Sequence, residues 1–113
     1  MTASNSEAQI QADIMAALAG RRDLRIWRAS AGAARDASSG RVYHFGTPGQ
    51  ADLSGILADG RRLEIEAKTK TGRQSDQQKA FQAMIERFGG IYILARSVQD
   101  VLDVLGPGPE GAR

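Results

Sequence analysis

Apolar residues near the start of the chain follow the spacing of an amphipathic helix. They recur every three or four positions, at Ile10, Ile14, Met15 and Leu18. This spacing puts them on one helical face. Ser4 and Glu7, three residues apart, are typical of a capping box, and Gly20 interrupts the pattern. The sequence therefore predicts a first helix over residues 5–19.

The middle of the chain alternates between apolar and polar residues, which indicates strands. The predicted strands are residues 24–27, a weaker segment at 41–45, and residues 51–57. Residues 29–40 are rich in alanine, serine and glycine and predict a mobile loop. Asp59-Gly60 favours a tight hairpin. A strand over residues 62–68 should therefore return antiparallel to the strand before it.

The last part of the chain predicts a helix, a strand and a second helix. Ser75 and Gln78 form another capping box. The apolar face that follows consists of Ala80, Phe81, Met84, Ile85 and Phe88. Residues 91–95 are almost continuously apolar, which predicts a buried central strand. Ser97 then begins a short helix that ends near Leu105.

This order of elements predicts an α/β fold. Helices and strands mixed along one chain favour a sandwich in which a central mixed sheet is flanked by helices. The length of 113 residues fits one domain, which we assign to residues 1–105. Residues 106–113 are rich in glycine and proline and predict a flexible tail.

Composition adds limits on location. The chain is 42% hydrophobic and 25% charged, as in ordinary globular domains, and it has no cysteine. A disulfide framework and a thiolate metal site are therefore excluded. The first twenty residues show no leader pattern and no stretch is long enough to span a bilayer. We expect a cytoplasmic protein without a membrane partner. A domain this small buries a limited fraction of its surface, so any apolar face left exposed is a candidate for self-association.

The charge distribution is more informative than the net charge. The net charge is only +2 and the sequence pI is about 9.4. Arginines are concentrated between residues 21 and 41, whereas acidic residues recur near the middle of the chain. This arrangement suits a metal-bound phosphate site, although scattered surface arginines are also common in proteins without one.

Candidate chemistry lies on the hairpin predicted at Asp59-Gly60. Side chains alternate along a strand, so Glu64, Glu66 and Lys68 should project from one face. Asp52 begins the partner strand and should lie beside the end of the returning one. Two converging carboxylates favour a hard divalent cation between them, and Lys68 adds a compact positive charge. These groups suit phosphodiester hydrolysis. Alternatively, the acidic and basic side chains form a solvated strand face with a cross-strand ion pair.

Several spaced motifs resemble the virus-type replication-repair nuclease (VRR-NUC) domain, part of the PD-(D/E)XK nuclease superfamily. The resemblance extends over most of residues 46–105. It is carried by the segments 49–55, 65–68, 72–79, 89–94 and 97–102. The proline that usually precedes the first acid is replaced by Ala51, but the acid remains as Asp52. Little should be lost, since proline supplies stiffness and no ligand.

The resemblance implies a restriction-endonuclease-like fold and a site that needs Mg²⁺ or Mn²⁺. The catalytic residues that it implies are Asp52, Glu66, Lys68, Gln78 and Glu7. It further implies that Asp52, Glu66 and Ala67 hold the metal. The expected substrate is DNA, including branched forms such as Holliday junctions. Small stand-alone members of this family occur in phages and act as homodimers, which suggests a phage or prophage protein in a bacterial cell.

Three residues are set apart from this site. His44 is the only histidine of the chain, and we expect no catalytic role for it. We expect Glu64 to lie in water and Trp27 to lie in the core.

Two other functions stay open at this stage. The first is an inactive nuclease-like module that recognises DNA or a protein partner through its arginines. The second is a sequence-selective or RNA-directed nuclease of the same fold. Salt-sensitive binding without cleavage would identify the first.

Overall fold

The computed structural model describes residues 6–29 and 32–109. In these ranges the helices are α1 (Glu7–Leu18), α2 (Asp76–Arg87) and α3 (Val98–Leu105). The strands are β1 (Leu24–Arg28), β2 (Gly32–Arg35), β3 (Val42–Phe45), β4 (Leu53–Leu57), β5 (Arg62–Ala67) and β6 (Ile91–Ala95).

The main sheet has four strands in the order β1-β4-β5-β6. The first two pairings are antiparallel, and β5 pairs with β6 in parallel. β4 and β5 form the predicted hairpin, whose turn includes Gly60 at a φ of +92°. The prediction of an α/β fold with a mixed sheet is confirmed.

Helices lie against both faces of the sheet. On one face, α1 and α3 cover the main core, which contains Ile10, Ile14, Leu18, Leu24, Leu53, Leu63, Ile65, Ala67, Ile93, Ala95 and Val101. On the other face, α2 packs Phe81 and Ile85 against Tyr92 of β6. Because α2 packs mainly on β6, the part of this second face near β1 is less covered by helices.

The start of α1 differs from the prediction. Ser4 and Asn5 lie outside the described residues. Ser6 is the N-cap, and its hydroxyl accepts a hydrogen bond from the backbone N–H of Gln9 at 3.1 Å. Glu7 is therefore the first residue of the helix. Its side chain is available for the site described below.

The prediction that residues 91–95 form a central strand is wrong. β6 is mostly buried but lies at one edge of the sheet, and β4 and β5 are the central strands. A continuous apolar run indicates that both faces of a strand are buried. An edge strand can also be covered on both faces, so the run does not show whether the strand is central.

The prediction of a loop over residues 29–40 is wrong in part, because this region contains β2. β2 pairs antiparallel with β3, from Gly32 opposite Phe45 to Arg35 opposite Val42. The sequence Gly-Ala-Ala-Arg has few strand-forming residues, so its strand conformation depends on its partner. We call residues 32–45 the hairpin arm.

Trp27, predicted to lie in the core, and Phe88, predicted to belong to the apolar face of α2, are both exposed. Trp27 is 45% exposed, because it lies on an edge strand and on the less covered face of the sheet. Phe88 follows the last residue of α2 and is also exposed. Its ring lies 4.9 Å from the guanidinium carbon of Arg87.

Glu64 is fully buried, contrary to the prediction that it lies in water. The Ser54 hydroxyl donates to one of its carboxylate oxygens at 2.9 Å, and Arg62 Nε donates to the other at 2.6 Å. A charge can be buried when it is paired and hydrogen-bonded in this way. Arg62 lies on β5 itself, two residues before Glu64, whereas Ser54 is supplied by the neighbouring strand β4, which the alternation pattern of β5 does not reveal.

The chain after α3 returns to the body of the protein at Arg21. This guanidinium forms two hydrogen bonds with the Asp23 carboxylate and donates to the Gly106 carbonyl at 2.8 Å. Residues 110–113 of the predicted tail lie outside the described residues. Among the residues that the structure describes, no helix has the length and apolar character needed to cross a bilayer.

Candidate metal centre

The candidate site lies where β4 begins and β5 ends. The antiparallel register pairs Leu53 with Ile65, and the next step along the hairpin brings Asp52 beside Glu66. Asp52 Oδ2 accepts a hydrogen bond from the backbone N–H of Ala67 at 2.8 Å. The Asp52 carbonyl accepts another from Ala29 at 2.9 Å. The aspartate is thus held at both its main chain and its side chain.

Three carboxylates converge at this point. Glu7, Asp52 and Glu66 each offer one oxygen, and these oxygens all lie within 4.8 Å of one another. They come from the first turn of α1, the residue before β4 and the end of β5. Glu7 and Asp52 are half-buried, and Glu66 is only 2% exposed. Solvent can therefore do little to screen their mutual repulsion.

Glu66 is partnered on one oxygen and bare on the other. Its Oε2 accepts a hydrogen bond from Gln78 Nε2 at 3.1 Å, and Lys68 Nζ lies 3.9 Å from the same atom. Its Oε1 is buried and has no hydrogen-bond partner among the described residues. A buried carboxylate oxygen without a partner is costly, so this atom is a natural ligand for a cation.

Burial and repulsion both change the protonation of this carboxylate. Removal from water is the main cause that raises the pKa of Glu66 to about 8. The negative charge of Asp52 raises the pKa further, as does the hydrogen bond that a protonated Glu66 can donate to Asp52. The charge of Lys68 lowers the pKa, and the charge of Glu7 raises it. Without a cation, the cluster therefore holds a proton on Glu66 near neutral pH.

Gln78 links this cluster to the start of α2. Its side-chain oxygen accepts a hydrogen bond from the backbone N–H of Ser75 at 2.9 Å. The backbone N–H of Gln78 donates to Ser75 Oγ at 3.1 Å. The predicted capping box is confirmed. Because the amide oxygen is used in the cap, the amide nitrogen points to Glu66.

The structure brings together the residues that the sequence singled out. Glu7, Asp52 and Glu66 form the carboxylate cluster, and Lys68 and Gln78 lie against Glu66. Their catalytic roles stay predictions. Ala67 has no ligating side-chain atom and can reach a metal only through its carbonyl. Its N–H, which donates to Asp52, is the group that the structure shows in use.

Sequence reasoning missed residues that shape the surroundings of the site. Arg96 donates to the Gly72 carbonyl at 2.8 Å and to the Thr69 carbonyl, which fixes the loop after β5. Arg96 follows β6 directly, and parallel strands end at the same edge of a sheet. A parallel pairing of β5 with β6 would have placed Arg96 near Lys68, but the pairing direction was not readable from the pattern.

Tyr92 is a second residue that the sequence did not flag. Its hydroxyl accepts from Gln74 Nε2 at 3.2 Å. Burial is the main cause that raises the pKa of Tyr92 to about 12, and nearby carboxylates, Glu66 first, add to the effect. Tyr92 therefore stays a neutral phenol beside the acidic cluster.

Asp52 and Gln78 open onto a cleft of about 300 Å³. The other lining residues are Ala29, Gly49, Gln50, Ala51, Ser75 and Gln77. The carboxylate cluster is therefore reached from this cleft at Asp52.

The cluster has the donor set of a hard divalent cation. Mg²⁺ and Mn²⁺ prefer oxygen ligands, with carboxylates foremost. The bare Glu66 oxygen and the two neighbouring carboxylates provide such ligands. The described residues thus fit the metal that the sequence predicts.

Comparison with known proteins gives no further guide to this site. No family model, curated protein or solved structure matches the chain significantly.

Proposed function

We propose that the protein is a Mg²⁺- or Mn²⁺-dependent endonuclease that hydrolyses DNA phosphodiester bonds, with branched DNA such as a Holliday junction as its substrate. The observation that carries the proposal is the cluster of Glu7, Asp52 and Glu66, with Lys68 and Gln78 attached. Carboxylate ligands beside an amine are what metal-assisted phosphodiester hydrolysis needs. The motif resemblance to the VRR-NUC domain supports the choice of DNA.

Each residue has a defined task in this proposal. Glu7, Asp52 and Glu66 would hold the metal, which when bound would supply positive charge and lower the pKa of a bound water. Lys68 places its ammonium near the phosphate oxygens and stabilises their growing negative charge. Gln78 holds Glu66 in the orientation that its helix cap dictates. Water adds to phosphorus and gives up a proton while one bridging P–O bond of the backbone breaks. The leaving oxygen takes up a proton, so the products are one phosphate monoester end and one hydroxyl end.

The test is cleavage of matched linear, flap and four-way-junction DNA with Mn²⁺ or with EDTA. We expect wild-type cleavage with Mn²⁺ alone, greatest on the junction. Asp52→Asn and Lys68→Ala should reduce it to background without loss of folding. Asp59→Asn is the matched control, because Asp59 is an exposed aspartate at the distant β4–β5 turn. Full activity of both site variants would refute the proposal.

The proposal includes a homodimer. Trp27 and Ile56 are both exposed on the less covered face of the sheet, where the strand register makes them diagonal neighbours. An exposed pair of large apolar side chains on a sheet is a candidate contact between copies. Two active sites in one particle would suit a junction, in which two strands need to be cut.

A further inference from the structure

The hairpin arm is a second candidate for contact with the substrate. Every side chain in β2 and β3 is exposed, and these strands pair with each other rather than with the main sheet. An isolated two-stranded ribbon is only marginally stable in water. The arm thus presents both of its faces to a partner.

One face of the arm is aromatic. Tyr43 and Phe45 are two positions apart on β3 and are 53% and 48% exposed. Their partners across the ribbon are Ala34 and Gly32, which are too small to cover them. A methyl group added to Gly32 would lie 3.1 Å from Phe45, so the Phe45 ring rests over the glycine backbone. Its outer side is left open for stacking.

The charge of the arm is mainly positive. Arg35 and Arg41 flank its turn. The acid in the arm is Asp36, which accepts hydrogen bonds from Ser38 and Ser39 and builds the turn. Two copies of this arm would repel each other, whereas a polyanion would be attracted.

The arm is joined to the carboxylate cluster by a continuous surface. A cleft of about 510 Å³ beside the arm is lined by His44 and Phe45 at one end. Gly49 and Gln77 line this cleft and also the cleft that contains Asp52. A chain molecule bound at the cluster can thus extend along this surface to the arm.

We propose that the hairpin arm binds unpaired nucleotides of the DNA substrate next to the bond that is cut, with Phe45 and Tyr43 stacking on bases and Arg41 contacting the backbone. Aromatic rings interleaved with cations are the usual means of holding single strands, and a base can stack on a ring only when it is unpaired. The choice of DNA rests on the proposed function. The arm would favour substrates that carry a single-stranded segment beside the site.

The test is binding of a labelled single strand and of its duplex by fluorescence anisotropy in EDTA. Phe45→Ala should weaken single-strand binding about tenfold, since stacking on one ring contributes that much or more, and should change duplex binding little. Phe45→Trp should restore single-strand binding. Phe88→Ala removes an exposed aromatic ring at the end of α2 and should have no effect. Arg41→Gln should reduce the salt dependence by about 0.7 in log–log slope, and Arg87→Gln is its control.

Equal single-strand affinity of Phe45→Ala and wild type would overturn the inference. An equal loss on both DNA forms would also overturn it, as would a change of oligomeric state on mutation, which would assign the arm to a second copy. Binding is measured in EDTA and does not depend on cleavage. The binding result can therefore be interpreted even if the protein is not a nuclease. Cleavage by wild type together with unchanged binding by Phe45→Ala would reject the inference alone.

Discussion

One amide side chain has two tasks in this protein. Gln78 uses its oxygen to cap α2 and its nitrogen to hold Glu66. The orientation of the glutamate thus depends on a helix cap, and the helix start depends on the same residue. Separate measurements are needed to tell the two tasks apart.

Gln78→Glu separates them. Glutamate serves the capping box as well as glutamine does, so helix content by circular dichroism should be unchanged. The variant loses the N–H donor and adds a carboxylate beside Glu66, and we expect cleavage to fall about 10- to 100-fold, as when a group that positions a metal ligand is lost. Retention of full cleavage would show that the contact with Glu66 is dispensable.

Glu66 should make the metal-free protein sensitive to pH. Its pKa is about 8 in the folded protein against an ordinary value of 4.5. The unfolded chain therefore loses this proton at lower pH than the folded protein does. Stability from this group is present below pH 4.5 and is lost as pH rises toward about 8.

Urea unfolding in EDTA across this pH range checks the expectation. The free energy of unfolding should fall more steeply with pH for wild type than for Glu66→Gln, which has no proton to lose at this position. Glu66→Gln should also be the more stable of the two at pH 8, because the repulsion among the carboxylates is relieved. Parallel curves for the two proteins would contradict the assignment.

At the scale of elements, the close approach between the turn before β4 and α2 shapes the cleft. Gly49 has a φ of +78°, and a Cβ there would lie 2.2 Å from the Gln77 carbonyl oxygen. Gly60 also has a positive φ, but a Cβ there would meet open space. A substitution at Gly60 therefore introduces backbone strain alone, whereas a substitution at Gly49 introduces backbone strain and steric overlap.

Gly49→Ala and Gly60→Ala form a matched pair. Gly60→Ala should cost about 1–2 kcal/mol from the left-handed backbone alone. Gly49→Ala should cost about 1–3 kcal/mol more, because the turn and α2 would have to move apart. Chemical denaturation of both variants measures the difference. Equal losses would show that the contact between Gly49 and Gln77 is loose.

Local sequence signals were sufficient to predict most helices and strands, but not the contacts between them. The Asp59-Gly60 turn and the Ser75–Gln78 cap each act within a few residues, so the hairpin and α2 could be predicted. β2 could not, because its four residues form a strand only against β3. Glu64 was misplaced for a related reason, since Ser54 on the neighbouring strand provides its partner.

The candidate site was predictable to the extent that it depends on one hairpin. The β4–β5 register brings Asp52 to Glu66, and that register follows from the turn. Glu7 entered through resemblance alone, because the packing of α1 against the sheet leaves no trace in the sequence around residue 7. Arg96 was missed because the direction of pairing between β5 and β6 is a property of the whole fold.

At the scale of the whole molecule, the chain is less compact than a domain of its length usually is. The radius of gyration is 15.6 Å, whereas a compact chain of this length has about 13 Å. The exposed aromatic side chains of the protein include Trp27 on the less covered sheet face and Tyr43 and Phe45 on the hairpin arm. We propose the sheet face as the contact with a second copy and the hairpin arm as the contact with DNA.

The dimer assignment predicts that Trp27→Glu weakens self-association about 30-fold or more, as for a central interface residue. Phe88→Glu places the same charge on another exposed aromatic and should leave association unchanged. Sedimentation over a range of concentrations measures both. A wild-type protein that stays monomeric at every concentration would remove the dimer from the proposed function.

The central place of β5 in the sheet has a consequence for heat resistance. Glu66 belongs to a strand that is hydrogen-bonded on both sides, to β4 and to β6. Amides in such strands exchange with solvent only when the protein opens globally. On warming, the backbone at Glu66 should therefore stay ordered until the whole domain unfolds. Glu7 lies in the first turn of α1, which can unfold locally at a lower temperature.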